Sequence, residues 1–186
     1  MRGQQMFPSI RSLDPGADPP KIINVLIEIS KNSNIKYETD FKSDLLRVDR
    51  ILSVAASYPC NYGFIPGTVE INSEDPIDAY VLGDTLIPFS LIMCTPIGAI
   101  LTEDQDGNDT KIIAVPLAKI SPEFDKVNNI YDLPVFFREK LEHFIRHHKD
   151  LESGKFVKGI KWEEKYAAEQ IILQAIERKR KKINIV

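Results

Sequence analysis

Between Ile51 and Thr110 the chain has no lysine and no arginine: sixty consecutive residues carry carboxylates as their only charged side chains. Histidine is scarce too, with three in 186 residues, and the two cysteines, Cys60 and Cys94, have no metal-like spacing. These shortages exclude a Cys/His metal scaffold and a disulfide framework, and make a reducing compartment the default. No apolar run approaches the roughly 18 residues that span a bilayer, and the N-terminus lacks a continuous apolar signal core. A membrane protein is therefore not expected, and the expected location is the cytoplasm. Residues Met1 to Leu13, with Arg2, Arg11, two serines and no acid, carry a trace of transit-peptide composition. There is no strongly basic domain and no aromatic-basic stripe, so nucleic acid is not an expected partner. Internal repeats and low-complexity segments are lacking as well.

What the lysine-free stretch does contain is nine carboxylates in two groups. Glu70, Glu74, Asp75, Asp78 and Asp84 form the first; Glu103, Asp104, Asp106 and Asp109 form the second; Arg50 and Lys111 stand at the borders. The net charge of −3 thus divides into −9 for this stretch and +6 for the remaining 126 residues. Crowded acids without local basic partners repel, and a cation from solution can supply the missing charge. Oxygen-only donors favour hard ions, magnesium, manganese or calcium, over zinc or copper. The plain alternative is two solvated acidic loops. A length of 186 residues and 43% hydrophobic content suit one domain with a proper core.

Pro8, Pro15, Pro19 and Pro20 mark an irregular arm over residues 1–20. Ile23, Val25, Ile27 and Ile29 then alternate, which predicts a strand turning Asn24, Leu26 and Glu28 to the other face. A second strand is expected over Ile35 to Thr39, with Lys36 and Glu38 side by side. A third should place Leu46, Val48 and Arg50 on one face. Further strand-like runs cover Val69 to Ile71, Ile77 to Leu82, Ser90 to Ile100 and Lys111 to Val115. Short strands with turn punctuation predict a small barrel over 21–131. Residues 132–186 are expected to be mainly helical. Asp132 is the predicted N-cap of a helix carrying Leu133, Phe137, Leu141, Phe144 and Ile145 on one face, with Pro134 in its first turn. Ala167, Ala168, Ile171, Ile172, Ala175 and Ile176 mark a second helix, closed by the basic run Arg178 to Lys182.

Within the first acidic group, Asp75 and Asp78 lie three apart around Pro76, which fixes the turn. Asp104, Asp106 and Asp109 form a second acidic turn near Gly107. Convergence of the two turns would let their oxygens hold several ions while Lys36, Arg50, Lys111 and Lys149 bind phosphate, the arrangement of a phosphoryl-transfer site. Two rival patterns fail. His143 and His147 lie four apart, but no carboxylate follows as in a metalloprotease. Asp104, Asp106 and Asn108 imitate a calcium loop, but Asp109 occupies its glycine position and Val115 its glutamate position.

The order and spacing of several short motifs give the chain a family resemblance. They are Ile27-Glu28-Ile29, Ile35-Lys36-Tyr37-Glu38, Val48-Asp49-Arg50, Tyr58 through Gly63, Asp75-Pro76-Ile77-Asp78, Asp104 through Lys111, and Lys149-Asp150-Leu151-Glu152 with Gly154-Lys155. Over about three quarters of its length, from Glu28 to Trp162, the chain resembles family I soluble inorganic pyrophosphatases. The resemblance implies an α+β fold, an OB-like five-stranded barrel with two helices packed outside. It also implies magnesium-dependent hydrolysis of pyrophosphate to two phosphates, manganese being a possible substitute, and a homo-oligomer, commonly a hexamer. Carried over by position, Asp75 matches the general base and a metal ligand, Asp78 and Asp109 principal metal ligands, Asp104 a ligand of a further ion, and Glu28 an outer metal-site acid. Lys36, Arg50, Tyr62, Lys111 and Lys149 match phosphate-binding positions. Glu38 and Asp49 read as supporting or salt-bridged acids.

Two departures stand out. The family pattern Asp-Gly-Asp-Pro-x-Asp reads here Ser73-Glu74-Asp75-Pro76-Ile77-Asp78, and the stretch after Thr68 is one residue longer. One metal carboxylate is therefore missing; Asn72, Ser73 and Glu74 are the candidates to replace it, and weakened metal binding is expected. The second is His148, which stands where the family has a phosphate-binding tyrosine. It either makes substrate binding depend on pH near its ordinary pKa of about 6.5 or merely completes the helix face. The alternative function is a weakened or inactive relative that serves as a phosphate-ligand-binding or interaction module.

Overall fold

A computed structural model describes residues 9–71, 73–105 and 107–183. Eight strands and two α-helices are present among them: β1 (Ile23–Ile29), β2 (Ile35–Asp40), β3 (Leu45–Ile51), β4 (Asn61–Phe64), β5 (Asp78–Val81), β6 (Leu91–Asp104), β7 (Gly107–Pro116), α1 (Val135–His147), β8 (Val157–Glu164) and α2 (Lys165–Ile183). The larger sheet runs β1-β4-β5-β7-β6, and β1 pairs back onto β6. Five strands therefore close into the expected OB-like barrel. β8 adds to β6 outside the ring, and β2 and β3 form a separate hairpin. β5 and β7 run parallel, with Asp78 opposite Lys111.

Alternation along the strands divides the apolar residues between two cores. Ala79, Val81, Ile112 and Ala114 face one way and are covered by Ala168, Ile172, Ala175 and Ile176 of α2. Tyr80, Leu82, Ile113 and Val115 face the other way and pack with Leu141, Phe144 and Ile145 of α1. The α2 residues recur at the helical period, so one stripe covers the barrel along its length. The apolar side of α1 is likewise core.

Several sequence expectations change. β1 does not alternate strictly: its register on β4 shifts between Ile27 and Ile29, leaving Glu28 as the extra residue of a β-bulge. Consequently Ile27 joins the α2-covered core and Ile29 the α1-covered one. Gly63 lies opposite Ile27, where a Cβ would come 1.9 Å from the Leu26 carbonyl oxygen. Only glycine allows that approach. In β3 a second irregularity leaves Asp49 unpaired, so Arg50 stands opposite Lys36 and Val48 opposite Tyr37. Val48 and Arg50 thus do not share a face as expected.

Val69 to Ile71 is loop rather than strand, because its backbone docks on α2: the Val69 N–H donates to the Ala175 carbonyl at 3.2 Å. β4 occupies a segment for which no strand was expected, and β8 lies within the region expected to be helical. As an added outer strand with mixed exposure, β8 lacks the continuous apolar run of a central strand. Helix α1 begins at Val135 with Pro134 as its N-cap residue, not at Asp132. Asp132 instead accepts bonds from the Asn128 and Asn129 N–H groups, both at 2.8 Å.

Candidate active site

The strand face that carries Tyr80, Leu82, Ile113 and Val115 turns polar toward one end. On β7 the two-residue period brings Asp109 and Lys111 onto that face, and on β5 it brings Asp78. β4, next to β5, contributes Tyr62. These side chains join one pocket of about 500 Å³, a size suited to a small ligand. Of the residues expected at a site, Glu28, Lys36, Arg50, Tyr62, Asp75, Asp78, Asp104, Asp109, Lys111, His148 and Lys149 all line it.

The two acidic turns do converge. The Lys111 ammonium donates to both Asp109 oxygens at 2.7 and 2.8 Å and to Asp78 Oδ2 at 3.3 Å. Asp78 and Asp109 therefore grip one cation in common. Tyr62 donates its hydroxyl to the same Asp78 oxygen. Burial raises the Asp78 pKa, the Asp109 charge raises it further, and Lys111 opposes the shift. Lys111 is itself buried; burial disfavours its charge, but the two aspartates outweigh that and hold its pKa above the ordinary value.

The expectation that these acids lack basic partners is overturned. Partners come from distant parts of the chain: Lys149 donates to Asp104 at 2.8 Å, and Lys182 to Glu74 at 2.5 Å. On the β2–β3 wall, Arg50 bonds Glu152 at 2.7 Å and Asp49 at 2.5 Å, and Lys36 pairs with Glu38 and, at 3.3 Å, with Asp49. Glu38, Asp49 and Lys155 line the same pocket. The local deficit of base was real, and three-dimensional neighbours make it good at Asp78, Asp109, Asp104 and Glu74.

Glu28 is buried at the bulge of β1, and its Oε1 accepts the Thr39 N–H at 2.7 Å. Burial lifts its pKa to about 7, against the opposing hydrogen bond, with a smaller push from Asp78. Bulges re-aim side chains beside sites of this kind. Asp75 is exposed on the turn that Pro76 follows; Ser73 Oγ accepts the Asp75 N–H at 3.0 Å and donates to Asp75 Oδ2 at 3.1 Å. Glu70 also lines the pocket, a position the sequence reading did not single out. Its pKa is raised, mainly by burial. Asn72 and Asp106 lie outside the described residues.

His148 is corrected in one respect. It is buried, with Nδ1 at 3.0 Å from the Ile145 carbonyl and 3.2 Å from that of Phe144, so Nδ1 must carry the proton and donate. Burial drops its pKa to about 4. The ring is therefore neutral near pH 6.5, and its Nε2 is an acceptor. A phosphate contact switched by His148 protonation around neutrality does not fit this geometry.

The donor set is all oxygen on the acidic side, which suits a hard divalent ion. Among the described residues no three His, Cys, Asp or Glu side chains already form a closed metal cage. The lysines hold the carboxylates instead: Lys111 bridges Asp78 and Asp109, and Lys149 pairs with Asp104.

Comparison with known proteins agrees with this geometry. A family model described as inorganic pyrophosphatase matches residues 25–180. The inorganic pyrophosphatase of Saccharolobus solfataricus is 47% identical over 169 residues, 90% of this chain and 98% of that one. That of Yersinia pestis is 42% identical over 175 residues, 93% of this chain and 99% of the other. The solved structure of the Helicobacter pylori inorganic pyrophosphatase superposes with a TM-score of 0.86 at 41% identity, covering 91% of this chain and 99% of that one. With the barrel, the converging aspartates and the matched length all in agreement, the chain belongs to the inorganic pyrophosphatase family.

Proposed function

We propose that the protein hydrolyses inorganic pyrophosphate to two phosphates with water as the nucleophile and divalent metal, magnesium first and manganese as substitute, as cofactor. The observation that carries the reading is the shared grip of Asp78 and Asp109 on one cation inside a pocket that also holds Lys36, Arg50 and Lys149. Asp78 and Asp109 would be the principal metal ligands, Asp104 a ligand of a further ion, Glu28 an outer acid, and Asp75 both ligand and base. When bound, the metal supplies Lewis acidity that brings the attacking water within reach of deprotonation near neutrality.

Asp75 accepts the proton of that water. Its exposed position at the pocket wall and the Ser73 clamp on its backbone and Oδ2 suit the task. Lys36, Arg50, Lys111, Lys149 and Tyr62 bind phosphate oxygens and stabilise the charge that grows on the leaving phosphate. His148 lines the same pocket as a neutral acceptor, suited to a hydroxyl or a water rather than to a bare phosphate oxygen. Metal and substrate should bind as an exchange of partners. Each of these cations is held by a carboxylate; a divalent ion held by Asp78, Asp109 and Asp104 would free Lys111 and Lys149 for phosphate oxygens.

Buried free Cys60 and Cys94 fit a reducing compartment, and among the described residues no helix is long and apolar enough to cross a membrane. The proposal accordingly places the enzyme in the cytoplasm, as a single domain over 1–186 and a homo-oligomer, a hexamer on family resemblance. The test is phosphate release from pyrophosphate across magnesium concentrations. Asp75→Asn should slow it by about 10²- to 10⁴-fold, the range for losing a general base. Full activity in that variant, or no metal requirement, would overturn the reading.

A further inference from the structure

The family pattern calls for a metal carboxylate just before Asp75 that this chain lacks, and the structure disposes of two of the three residues considered for it. Glu74 points away: its side chain is 85% exposed and bound to Lys182. Ser73 spends its hydroxyl on Asp75. Asn72 lies outside the described residues and offers no negative charge in any case. Glu70 differs from all of them. Glu70 lines the pocket; its Oε1 accepts the Ile71 N–H at 3.0 Å, while Oε2 is wholly buried without a hydrogen-bond partner among the described residues. A buried carboxylate oxygen without a partner is uncommon and calls for an explanation, an ion being one. Its place is fixed by the backbone: the Glu70 N–H donates to the Asp75 carbonyl at 2.8 Å, across the turn that holds the proposed base. It lies within Coulombic reach of Asp78 and Asp109, and Arg178 of α2, which donates to the Val69 carbonyl at 2.9 Å, supplies a positive charge from behind the loop that offsets theirs without bonding to the carboxylate.

We propose that Glu70 is the substitute carboxylate of the divalent-metal site, doing from the start of the lengthened loop what an aspartate at position 73 would otherwise do. The one-residue extension after Thr68 and the loss of the aspartate are then two sides of one change: the loop is re-spaced and the acid is supplied earlier in it. This rests on the metal-dependent reading above, and the test separates the two.

Manganese binding to the full-length protein, followed by calorimetry and by the electron paramagnetic resonance of free Mn²⁺, is compared for wild type, Glu70→Gln, Glu74→Gln, Asp78→Asn and Ser73→Asp combined with Glu70→Gln. Expected is a loss of affinity on the order of tenfold or more for Glu70→Gln, as for other supporting metal groups. Glu74→Gln should stay close to wild type, and the added aspartate of the double variant should restore binding. Melting in EDTA checks that Glu70→Gln is folded, and Glu70→Asp serves if it is not. Unchanged Mn²⁺ binding in Glu70→Gln with binding lost in Asp78→Asn overturns the Glu70 assignment alone. Equal losses in Glu70→Gln and Glu74→Gln also overturn it, since charge alone would then suffice. Unchanged binding in both Glu70→Gln and Asp78→Asn overturns the metal-site reading itself.

Discussion

Replacing Glu28 by glutamine should stabilise the metal-free protein, and only at neutral and alkaline pH. Glu28 is 7% exposed, and its pKa rises from 4.5 in the unfolded chain to about 7 in the fold. Below pH 4.5 both states carry the proton and no cost arises. As pH climbs from 4.5 to 7 the unfolded chain gives up its proton while the native state keeps it, so native stability falls across that window. At about 1.4 kcal/mol per pKa unit, the loss reaches about 3 kcal/mol above pH 7. Glutamine carries no charge at any of these pH values and its carbonyl can still accept the Thr39 N–H, but its amide NH₂ needs a partner, which returns about 1 kcal/mol. A net gain of about 2 kcal/mol is expected at pH 8, or roughly 4–8 °C in Tm for a chain of this size. The assay is thermal melting in EDTA from pH 5 to pH 9. The gap between variant and wild type should be near zero at pH 5 and open through pH 7. Saturating magnesium should then favour the wild type, because only the carboxylate can serve the ion. A gap that is constant with pH, or a variant less stable above pH 7, would refute the buried-acid reasoning.

Lys111→Met should destabilise the metal-free protein by about 1–3 kcal/mol, since it leaves the half-buried Asp78 and Asp109 side by side without their cation; melting with and without magnesium should show a larger metal-induced rise than in wild type. For His148, the pKa near 4 means that the unfolded chain binds a proton below pH 6.5 before the native one does. Stability contributed by the neutral ring is thus complete above pH 6.5 and declines by about 3 kcal/mol as pH falls toward 4. His148→Tyr should remove that acid-side loss in equilibrium unfolding while leaving the dependence of KM on pH unchanged between 6 and 8; an altered KM profile would show that the histidine does titrate against substrate.

The barrel and both helices were legible because their cores are written in simple periods. Ile23, Val25 and Ile27 alternate, and Ala168, Ile172, Ala175 and Ile176 recur at helical spacing. β4 is only four residues long and carries no local strand period; its pairing on both sides with β1 and β5 is what makes it a strand. β8 has the opposite surroundings, since only one neighbour, β6, supports it. The bulges at Glu28 and Asp49 leave no local signature, because the residue that becomes extra depends on the register of the partner strand. Glu70 does not stand out in the sequence because an acid four residues before another acid looks like any solvated turn until burial distinguishes its two oxygens.

Residue types and their order determined by themselves what the chain can offer: hard oxygen donors without paired soft ligands, lysines and an arginine able to bind an anion, and a proline-fixed turn holding Asp75. Those properties belong to side chains and short spacings, which the chain carries before it folds. Which acid meets which base was decided only in three dimensions. Lys111 lies two residues from Asp109, yet Asp78 reaches it only because β5 and β7 run side by side, and Asp104 meets Lys149 across 45 positions of sequence. Electrostatic compensation depends on distance through space, and strand pairing sets that distance.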